Sequence, residues 1–271
     1  MKSNRKETGV AVIGAGGIGN LRAHSCQQIS QVDYIAMCDI NEAKLNTVAD
    51  SIKADVATND YRKAILDDRV GAVIISTDEE NHYEAAMLAA ELGKSVLIEK
   101  PFVLDLNEAD KILNKAEETG AEIFVGYTQR FRRKFLLAKE AVRKGQLGDI
   151  VFAMGKIYVT RAVGEAVAAR SPNTTPSINT GTYLVDLMLW YMEGKTPVEV
   201  YAKSGSNVFK PYNRDDFQWM LVTFDDGAVV SLGTSWLQPR HWPAYTATME
   251  IDLQGTTGCL SIDDAHRDVV L

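Results

Sequence analysis

The stretch Gly9–Gly19, G-V-A-V-I-G-A-G-G-I-G, decides the predicted fold of the N-terminal half. Its apolar run, Val10–Ile13, is typical of a buried strand, and an amphipathic helix follows the glycines. In this context Gly14 permits a tight turn, Gly16 lets a pyrophosphate approach the backbone, and Gly19 allows close packing of helix on strand. The first N–H groups of that helix favour an anion. We therefore interpret the turn as a dinucleotide-binding site, rather than as a structural glycine turn alone.

An acidic residue ends the second predicted strand. Asp39 follows the strand Asp33–Cys38, at the distance from the glycines at which such an acid contacts the adenosine ribose. A carboxylate there accepts hydrogen bonds from the ribose hydroxyls and repels a 2′-phosphate. The next residue is Ile40, so no Arg or Lys stands there to hold that phosphate. We expect NAD as the cofactor, with NADP less favoured, although Asp39 can also cap the following helix.

Composition excludes several classes of protein. The 271 residues are enough for two domains, and the formal charge of −7 disfavours a nucleic-acid partner. No apolar run has membrane length, and the basic N-terminus precedes no signal-peptide core. The three cysteines, Cys26, Cys38 and Cys259, are unclustered, which favours neither a disulfide framework nor a zinc site. We expect a cytoplasmic protein with no metal, no nucleic acid and no membrane partner.

Strands and helices alternate along the first half of the chain. Helices are predicted after each strand, including one over Asp105–Thr119, and this alternation predicts a doubly wound parallel sheet. The predicted strands are Gly9–Gly14, Asp33–Cys38, Asp55–Thr58, Gly71–Ser76, Val96–Ile98 and Glu122–Val125.

The second half is rich in strands. After a helix over Lys134–Lys144, one further helix, Gly181–Tyr191, interrupts them, which predicts a separate α+β domain. Residues 162–179 contain two prolines and several Ser, Thr and Asn residues; we expect a long structureless connection that is either a binding loop or a mobile one. The expected domains are residues 1–128 and 129–271. The predicted strands are Ile150–Thr160, Val198–Ser204, Phe217–Phe224, Ala228–Trp236, Ala247–Leu253 and Gly258–Ile262.

The strand that contains Val96–Ile98 ends in Glu99, Lys100 and Pro101. In an open α/β sheet the ligand crevice lies outside the carboxyl ends of the strands, so these charged residues would reach it. Proline cannot donate to the sheet and ends the strand there. A charged turn without a functional role remains the alternative on spacing alone.

Four motifs in order resemble one family. The glycine turn, His82, Glu99-Lys100-Pro101 and Gly126–Phe131 are similar to those of the glucose–fructose oxidoreductase/inositol dehydrogenase (Gfo/Idh/MocA) family. The resemblance implies a Rossmann domain followed by an α+β domain with a mostly antiparallel open sheet. It also implies NAD(P)-dependent oxidation or reduction of sugars, polyols or related compounds. One sheet face would meet the cofactor crevice, and the other would pack on a second subunit of a homodimer or homotetramer.

The resemblance also implies a catalytic pair, with two departures. The lysine of the family motif is Lys100, and its usual catalytic histidine corresponds to Tyr183. The usual aspartate before that position is Asn179. A tyrosine, with an unperturbed pKa of about 10, is a poor base at neutral pH unless a neighbouring ammonium lowers its pKa, but it is already a usable acid in ketone reduction. Tyr183 therefore favours reduction, and a core tyrosine is the alternative.

For several other expected site residues, two roles remain open. His82 is structural or near the nicotinamide, with proton transfer a lesser alternative, and Asp78 stands where the family usually has proline. Arg130 either contacts the ligand or forms a structural ion pair, and Asp186 is expected to be structural. Trp236 either contacts a sugar or lies in the core. The expected cofactor contacts are Gly14, Gly16, Gly17, Ile18, Gly19, Asp39, Ile40, Thr77, His82, Glu99, Lys100 and Gln129. The expected substrate contacts are Lys100, Arg130, Arg170, Asn179, Tyr183 and His241.

Three functions remain open on the sequence. The first is a dehydrogenase or reductase acting on a CH–OH group, with Lys100 polarising the oxygen and Tyr183 exchanging the proton. The second is a non-catalytic dinucleotide-binding sensor, and the third is a glycoside-cleaving member that uses tightly bound NAD without net redox change. Family members usually continue beyond the position of Leu271, so the chain is either a short member or truncated, and a missing strand would expose a sheet edge.

Overall fold

The computed structural model describes residues 8–240 and 247–263. The chain forms two compact units, the first ending at Gly126 and the second beginning at Tyr127. The sequence analysis places this boundary after residue 128. None of the helices in the described ranges is both long enough and apolar enough to cross a membrane.

The first unit is built on a parallel sheet. Its strands are β1 Thr8–Ile13, β2 Val32–Cys38, β3 Val56–Thr58, β4 Val70–Ile75, β5 Ser95–Ile98 and β6 Ile123–Val125. Their order across the sheet is β3-β2-β1-β4-β5-β6, and every pairing is parallel. This is the order of a dinucleotide-binding fold. Each strand lies within one residue of its predicted bounds, because each is a short apolar run between turn residues.

Five helices connect these strands. They are α1 Gly17–Gln27, α2 Glu42–Ile52, α3 Tyr61–Leu66, α4 His82–Glu91 and α5 Leu106–Thr119. Three of them begin at a side chain that accepts a hydrogen bond from a first-turn N–H group: Asn41, Asp60 and Asp105. Such caps fix where a helix starts.

Both faces of this sheet are covered. Along β1, Ala11 and Ile13 pack in one layer with buried residues of α3, α4 and α5. Val10 and Val12 pack in the opposite layer with α1 and α2. Side chains alternate between the faces of a strand, so one apolar strand supplies both layers. The doubly wound α/β fold is therefore confirmed.

The second unit is built on a mixed sheet. Its strands are β7 Ile150–Thr160, β8 Pro197–Gly205, β9 Phe217–Phe224, β10 Val229–Gln238, β11 Ala247–Gly255 and β12 Cys259–Asp263. They lie in the order β12-β11-β7-β10-β9-β8. Within the described ranges only β7 and β10 pair in parallel, so the expected mostly antiparallel sheet is confirmed.

One face of this sheet carries the core of the second unit. The helices are α6 Arg133–Arg143, α7 Arg161–Arg170 and α8 Thr182–Tyr191, and the π-helical segment Ser177–Gly181 leads into α8. Leu184, Leu187 and Met188 of α8 pack with Phe135 of α6 against the sheet. These side chains are separated by three and four positions in α8, which puts them on one helix face.

The opposite face, here called the outer face, carries exposed apolar side chains. Trp219 of β9 lies across Gly233 of β10, where an added Cβ would be only 2.1 Å from the indole ring. The indole N–H donates to the Ser231 hydroxyl at 2.9 Å. Tyr201 and Leu221, which pair across β8 and β9, are 60% and 43% exposed. The outer face is therefore partly apolar and open at its β8 edge.

The prediction of a structureless connection over residues 162–179 is wrong. Helix α7 occupies Arg161–Arg170, and the π-helical segment begins at Ser177. Val167 packs in a small core with Phe209 and Trp236, and Val163 lies against it one turn earlier. An apolar stripe of two valines is too short to be detected in a segment rich in alanine, which explains the error.

Candidate active site

The glycine turn joins β1 to α1 at the carboxyl edge of the first sheet. Gly14 has φ +102°, and a Cβ there would lie 2.6 Å from the Ser76 carbonyl oxygen. A Cβ on Gly19 would lie 1.8 Å from the Gly14 carbonyl oxygen, whereas no atom of the described residues would lie within 4 Å of a Cβ on Gly16 or Gly17. Gly16 is the N-cap of α1, so no side chain there caps the first N–H groups of the helix. The first turn of α1 also contains no acidic residue. The turn is therefore tightly packed at Gly14 and Gly19, and it is open at Gly16 and Gly17, where a pyrophosphate would bind.

Asp39 is bonded to this turn. Its Oδ2 accepts a hydrogen bond from the Ala15 N–H at 2.6 Å, and its Oδ1 accepts one from the Asn41 N–H at 2.7 Å. The half-buried carboxylate therefore fixes the glycine turn relative to the end of β2. Ile40 is 90% exposed beside it. A carboxylate has about four acceptor sites, so these two bonds leave capacity for ribose hydroxyls.

Two hydroxyl groups follow β4. The oxygens of Ser76 and Thr77 are buried and have no hydrogen-bond partner among the described residues. Buried hydroxyls normally find a partner, so unsatisfied ones indicate a ligand or a water. The open cradle at Gly16 and these two hydroxyls fit a dinucleotide. Asp78, at the position of the usual family proline, starts a short turn in which its carbonyl accepts the Asn81 N–H.

The Glu99-Lys100-Pro101 motif lies at the end of β5, as the sequence analysis expects. Glu99 Oε1 accepts hydrogen bonds from Nε and Nη2 of Arg22 at 2.8 and 2.5 Å. Arg22 lies on α1, so this partly buried ion pair connects the motif to the helix after the glycine turn. Lys100 is half-buried, and its bond to Pro101 is cis.

His82 is buried beside the motif. It begins α4 and is 1% exposed. Its Nδ1 lies 3.0 Å from the Pro101 carbonyl oxygen and 3.2 Å from that of Phe102, and its Nε2 lies 3.3 Å from that of Thr77. His82 therefore bridges the segments after β4 and β5.

Arg130 and Asp186 form a bidentate ion pair in the second unit. Nε and Nη2 of Arg130 lie 2.8 and 2.7 Å from the two carboxylate oxygens, and the Asp186 side chain is 9% exposed. The guanidinium also lies 5.4 Å from the centre of the Trp190 ring. Asp186 thus has a structural partner, and Arg130 forms the ion pair that was one of its two expected roles.

Tyr183 lies on α8 beside a second tyrosine. The rings of Tyr127 and Tyr183 meet edge to face, 6.2 Å between centres. Burial raises the pKa of the Tyr127 hydroxyl, the Asp186 charge acts in the same direction, and a hydrogen bond to the Thr182 side chain opposes both. A mainly apolar cavity of about 320 Å³ lies next to Tyr127; its other lining residues are Ser177, Ile178, Thr182, Val185, Asp186 and Leu189.

The remaining predicted residues differ in their settings. Asn179 is buried, and its N–H donates to the Thr175 carbonyl oxygen. Gln129 accepts a hydrogen bond from Arg132. Arg170 lies exposed at the end of α7 rather than in a loop, and His241 lies outside the described residues.

The ambiguity over Trp236 is resolved by its burial. Trp236 is fully buried against Phe209, so it is a core residue. Neighbouring Arg240 forms an ion pair with Glu165. No group of three or more His, Cys, Asp or Glu residues in the described ranges is arranged to hold a metal ion.

Three contributors were missed by the sequence analysis. Arg22 pairs with Glu99, Ser76 offers an unsatisfied hydroxyl, and Tyr127 packs on Tyr183. Tyr127 lies within the recognised motif Gly126–Phe131, and Ser76 directly precedes Thr77, so a local signal was available for both. Arg22 is 77 positions from its partner, and nothing local indicates that contact.

Comparison with known proteins agrees with this architecture. Residues 8–127 match the oxidoreductase family with an NAD-binding Rossmann fold, and residues 135–261 match the GFO/IDH/MocA C-terminal domain. The chain is 26% identical to an uncharacterized oxidoreductase, YrbE, of Bacillus subtilis over 274 residues, covering 98% of this chain and 76% of that protein. It is 25% identical to a myo-inositol 2-dehydrogenase of Thermotoga maritima over 275 residues, covering 97% and 77%.

A solved structure has the same fold. The scyllo-inositol dehydrogenase of Lactobacillus casei, with bound NAD(H) and scyllo-inositol, superposes with a TM-score of 0.86. The sequence identity is 19%, and the match covers 98% of this chain and 79% of that one. Both halves of the chain match the same family, with the expected glycine turn and motif in place. The chain therefore belongs to the Gfo/Idh/MocA family of oxidoreductases, and its first unit is an NAD-binding Rossmann domain.

Proposed function

We propose that this protein is an NAD-dependent dehydrogenase or reductase that interconverts an alcohol and a ketone on a sugar, polyol or sugar-like compound. One observation carries the proposal: the carboxyl edge of the first sheet combines an open glycine turn, a lysine, and hydroxyls that have no partner within the described part of the chain. The turn and Asp39 would hold the pyrophosphate and the adenosine ribose, and Thr77 would face the nicotinamide side. The match to a family of oxidoreductases favours an enzyme over a non-catalytic sensor.

Two side chains carry the proposed chemistry. NAD, when bound, supplies the hydride acceptor or, as NADH, the donor. The Lys100 ammonium would polarise the reacting oxygen, because a fixed positive charge stabilises the negative charge that develops there. Tyr183 would exchange the proton with that oxygen, as a positioned acid or base does.

The substrate contacts are proposed from residue type and position. Asn179 precedes Tyr183 by four residues, and we propose that it binds an adjacent hydroxyl. Arg130 uses two of its five donors for Asp186, and we propose that others bind the ligand. Arg170 and His241 remain sequence predictions. The names of the relatives make inositol isomers the first compounds to test.

We propose that the outer face of the second sheet packs on a second copy of the chain. Its support is the exposed apolar group that includes Tyr201 and Leu221. Leu221→Glu should convert a dimer or tetramer to smaller species in light scattering after size exclusion, whereas Leu113→Glu, at an exposed leucine of α5, should not. Equal masses for all three proteins would contradict this interface. We also propose a cytoplasmic location; the free thiols of Cys26, Cys38 and Cys259 support it, because such thiols are typical of a reducing compartment.

Titration with the two cofactors tests the NAD assignment. NADH should bind more tightly than NADPH in a fluorescence titration, because Asp39 disfavours the 2′-phosphate. Equal or tighter binding of NADPH would contradict the assignment.

Product analysis tests the reaction. Inositols, sugars and nucleotide sugars should be screened for a net change in NADH absorbance. A product formed without added cofactor and without net NADH change would instead support the glycoside-cleaving alternative.

A further inference from the structure

His82 is a buried ring with three backbone acceptors around it. The Pro101 and Phe102 carbonyl oxygens lie 3.0 and 3.2 Å from Nδ1, and the Thr77 carbonyl oxygen lies 3.3 Å from Nε2. The ring is 1% exposed; its contact with Pro101 is buried, and its contacts with Phe102 and Thr77 are partly buried. Carbonyl oxygens only accept hydrogen bonds, so the ring must act as the donor.

The placement of the proton follows from these contacts. Of the two tautomers of a neutral imidazole, the one with the proton on Nδ1 would serve two of the three oxygens, and we assign that tautomer. That N–H donates to the two residues directly after Lys100. Without it, the buried contact with Pro101 and the partly buried contact with Phe102 would both lose their donor. A buried polar group without a partner destabilises the structure.

We propose that His82 is a positioning residue for Lys100. The backbone on the carboxyl side of Lys100 is fixed through Pro101 and Phe102, and His82 connects it to α4. On the amino side, Glu99 is fixed by Arg22. The lysine therefore stands between two anchored neighbours. The catalytic meaning of this arrangement rests on the proposed function, in which Lys100 polarises the reacting oxygen.

The burial of the His82 ring also argues against direct proton transfer to the substrate by this residue. Both ring nitrogens of His82 face main-chain oxygens, and the ring is closed off from solvent. A proton donor must reach the reacting atom within hydrogen-bond distance or through one water. His82 instead acts on the reaction through the backbone next to Lys100.

Two isosteric substitutions distinguish the contacts. The amide nitrogen of asparagine takes the place of Nδ1, and that of glutamine takes the place of Nε2. His82→Asn keeps a donor for Pro101 and Phe102, whereas His82→Gln places its donor toward Thr77 and leaves none for Pro101 and Phe102. Lys100 in each folded variant is labelled with a limiting amine-reactive reagent and quantified by mass spectrometry, with exposed Lys111 of α5 as the internal reference.

The proposal predicts a difference between the variants. In His82→Gln the Lys100 labelling rate should change several-fold relative to Lys111, and hydride transfer should fall by about 10²-fold, as a misplacement of about 1 Å can cause. His82→Asn should restore the labelling rate and most of the transfer rate.

Equal Lys100 labelling in the wild type and both folded variants would overturn the proposal. Equal disturbance by Asn and Gln would also overturn it, because the Pro101 and Phe102 contacts would then be irrelevant. Labelling needs no substrate, so it is independent of the reaction. If Lys100→Met kept full turnover, the proposed function would fail, while a Gln-specific change in labelling would still support the positioning.

Discussion

At the scale of single residues, Gly16 and Gly19 belong to one motif but have opposite surroundings. Gly19→Ala should destabilise the protein by about 1–3 kcal/mol, because its methyl would overlap the Gly14 carbonyl oxygen. Gly16→Ala should fold with an unchanged melting temperature and bind NADH at least tenfold more weakly, because its methyl would enter the open cradle. Thermal denaturation and NADH titration measure the two effects. Unweakened NADH binding by Gly16→Ala would remove the cradle from the cofactor site.

The proposed catalytic pair gives a second prediction. Tyr183→Phe should keep NADH affinity, since the ring and its contact with Tyr127 survive, but lose about 10²–10⁴-fold in hydride transfer. Lys100→Met should lose at least as much, and the double mutant should lose far less than the product of both. Single-turnover absorbance with an identified substrate measures this. Full activity in Tyr183→Phe would leave Tyr183 a packing residue, and with His82 buried the search for an acid would turn to His241.

Site residues that directly follow a strand were easier to predict than contacts between residues of different elements. Glycines, Asp39 and the Glu99-Lys100-Pro101 motif were expected at the carboxyl edge because the end of an apolar run locates that edge. The partners of these residues were not expected. The bonds from Ala15 to Asp39 and from Arg22 to Glu99 depend on how elements pack, which the local sequence does not specify.

At the scale of elements, α7 depends on a close approach to β10. A Cβ on Gly164 would lie 2.8 Å from the Trp236 Cβ and from the Phe209 ring. Gly164→Val should therefore lower the free energy of unfolding by about 1–3 kcal/mol. Ala166→Val, at an exposed position of the same helix, should change it by less than about 1 kcal/mol. Urea denaturation compares them, and equal effects would mean that α7 is not packed on Trp236.

The accuracy of the predicted strands and helices depended on how clearly the apolar residues of each element mark it in the sequence. Strands β7 and β9 have their predicted bounds because each is a long, mainly apolar segment that begins after an acidic residue, Asp149 or Asp216. Helix α7 was missed because only Val163 and Val167 mark its apolar side, and the residues they contact are distant in sequence. The π-helical segment before α8 was also not expected, since it shows no separate apolar period.

At the scale of the whole molecule, several buried acids must stay neutral in the folded state. Burial, with help from the Asp39 and Asp60 charges, raises the pKa of the Cys38 thiol to about 12 from 9.0. Burial also raises the pKa values of Cys26, Tyr127 and Tyr191. The unfolded chain ionises first as the pH rises, so stability is retained below about pH 9 and falls between about pH 9 and 12.

Denaturation as a function of pH tests this alkaline loss. The free energy of unfolding should decline above about pH 9, with a contribution of at most about 1.4 kcal/mol per pH unit from each group. Cys38→Ala should show a shallower decline, whereas Cys259→Ala, at an exposed cysteine, should follow the wild type. Parallel curves for wild type and Cys38→Ala would show that the Cys38 thiol contributes nothing.

The two bonds of Asp39 also limit how cofactor preference can be redesigned, or can drift in evolution. Replacing Asp39 by alanine would relieve the repulsion of a 2′-phosphate, but it would also release the Ala15 N–H and so loosen the turn that holds the pyrophosphate. The gain in affinity for NADP would be offset by a loss of affinity that is common to NAD and NADP. Asparagine removes the charge and keeps one amide oxygen for the Ala15 N–H. A route toward NADP therefore passes through Asp39→Asn, with a basic residue at position 40 as the second step.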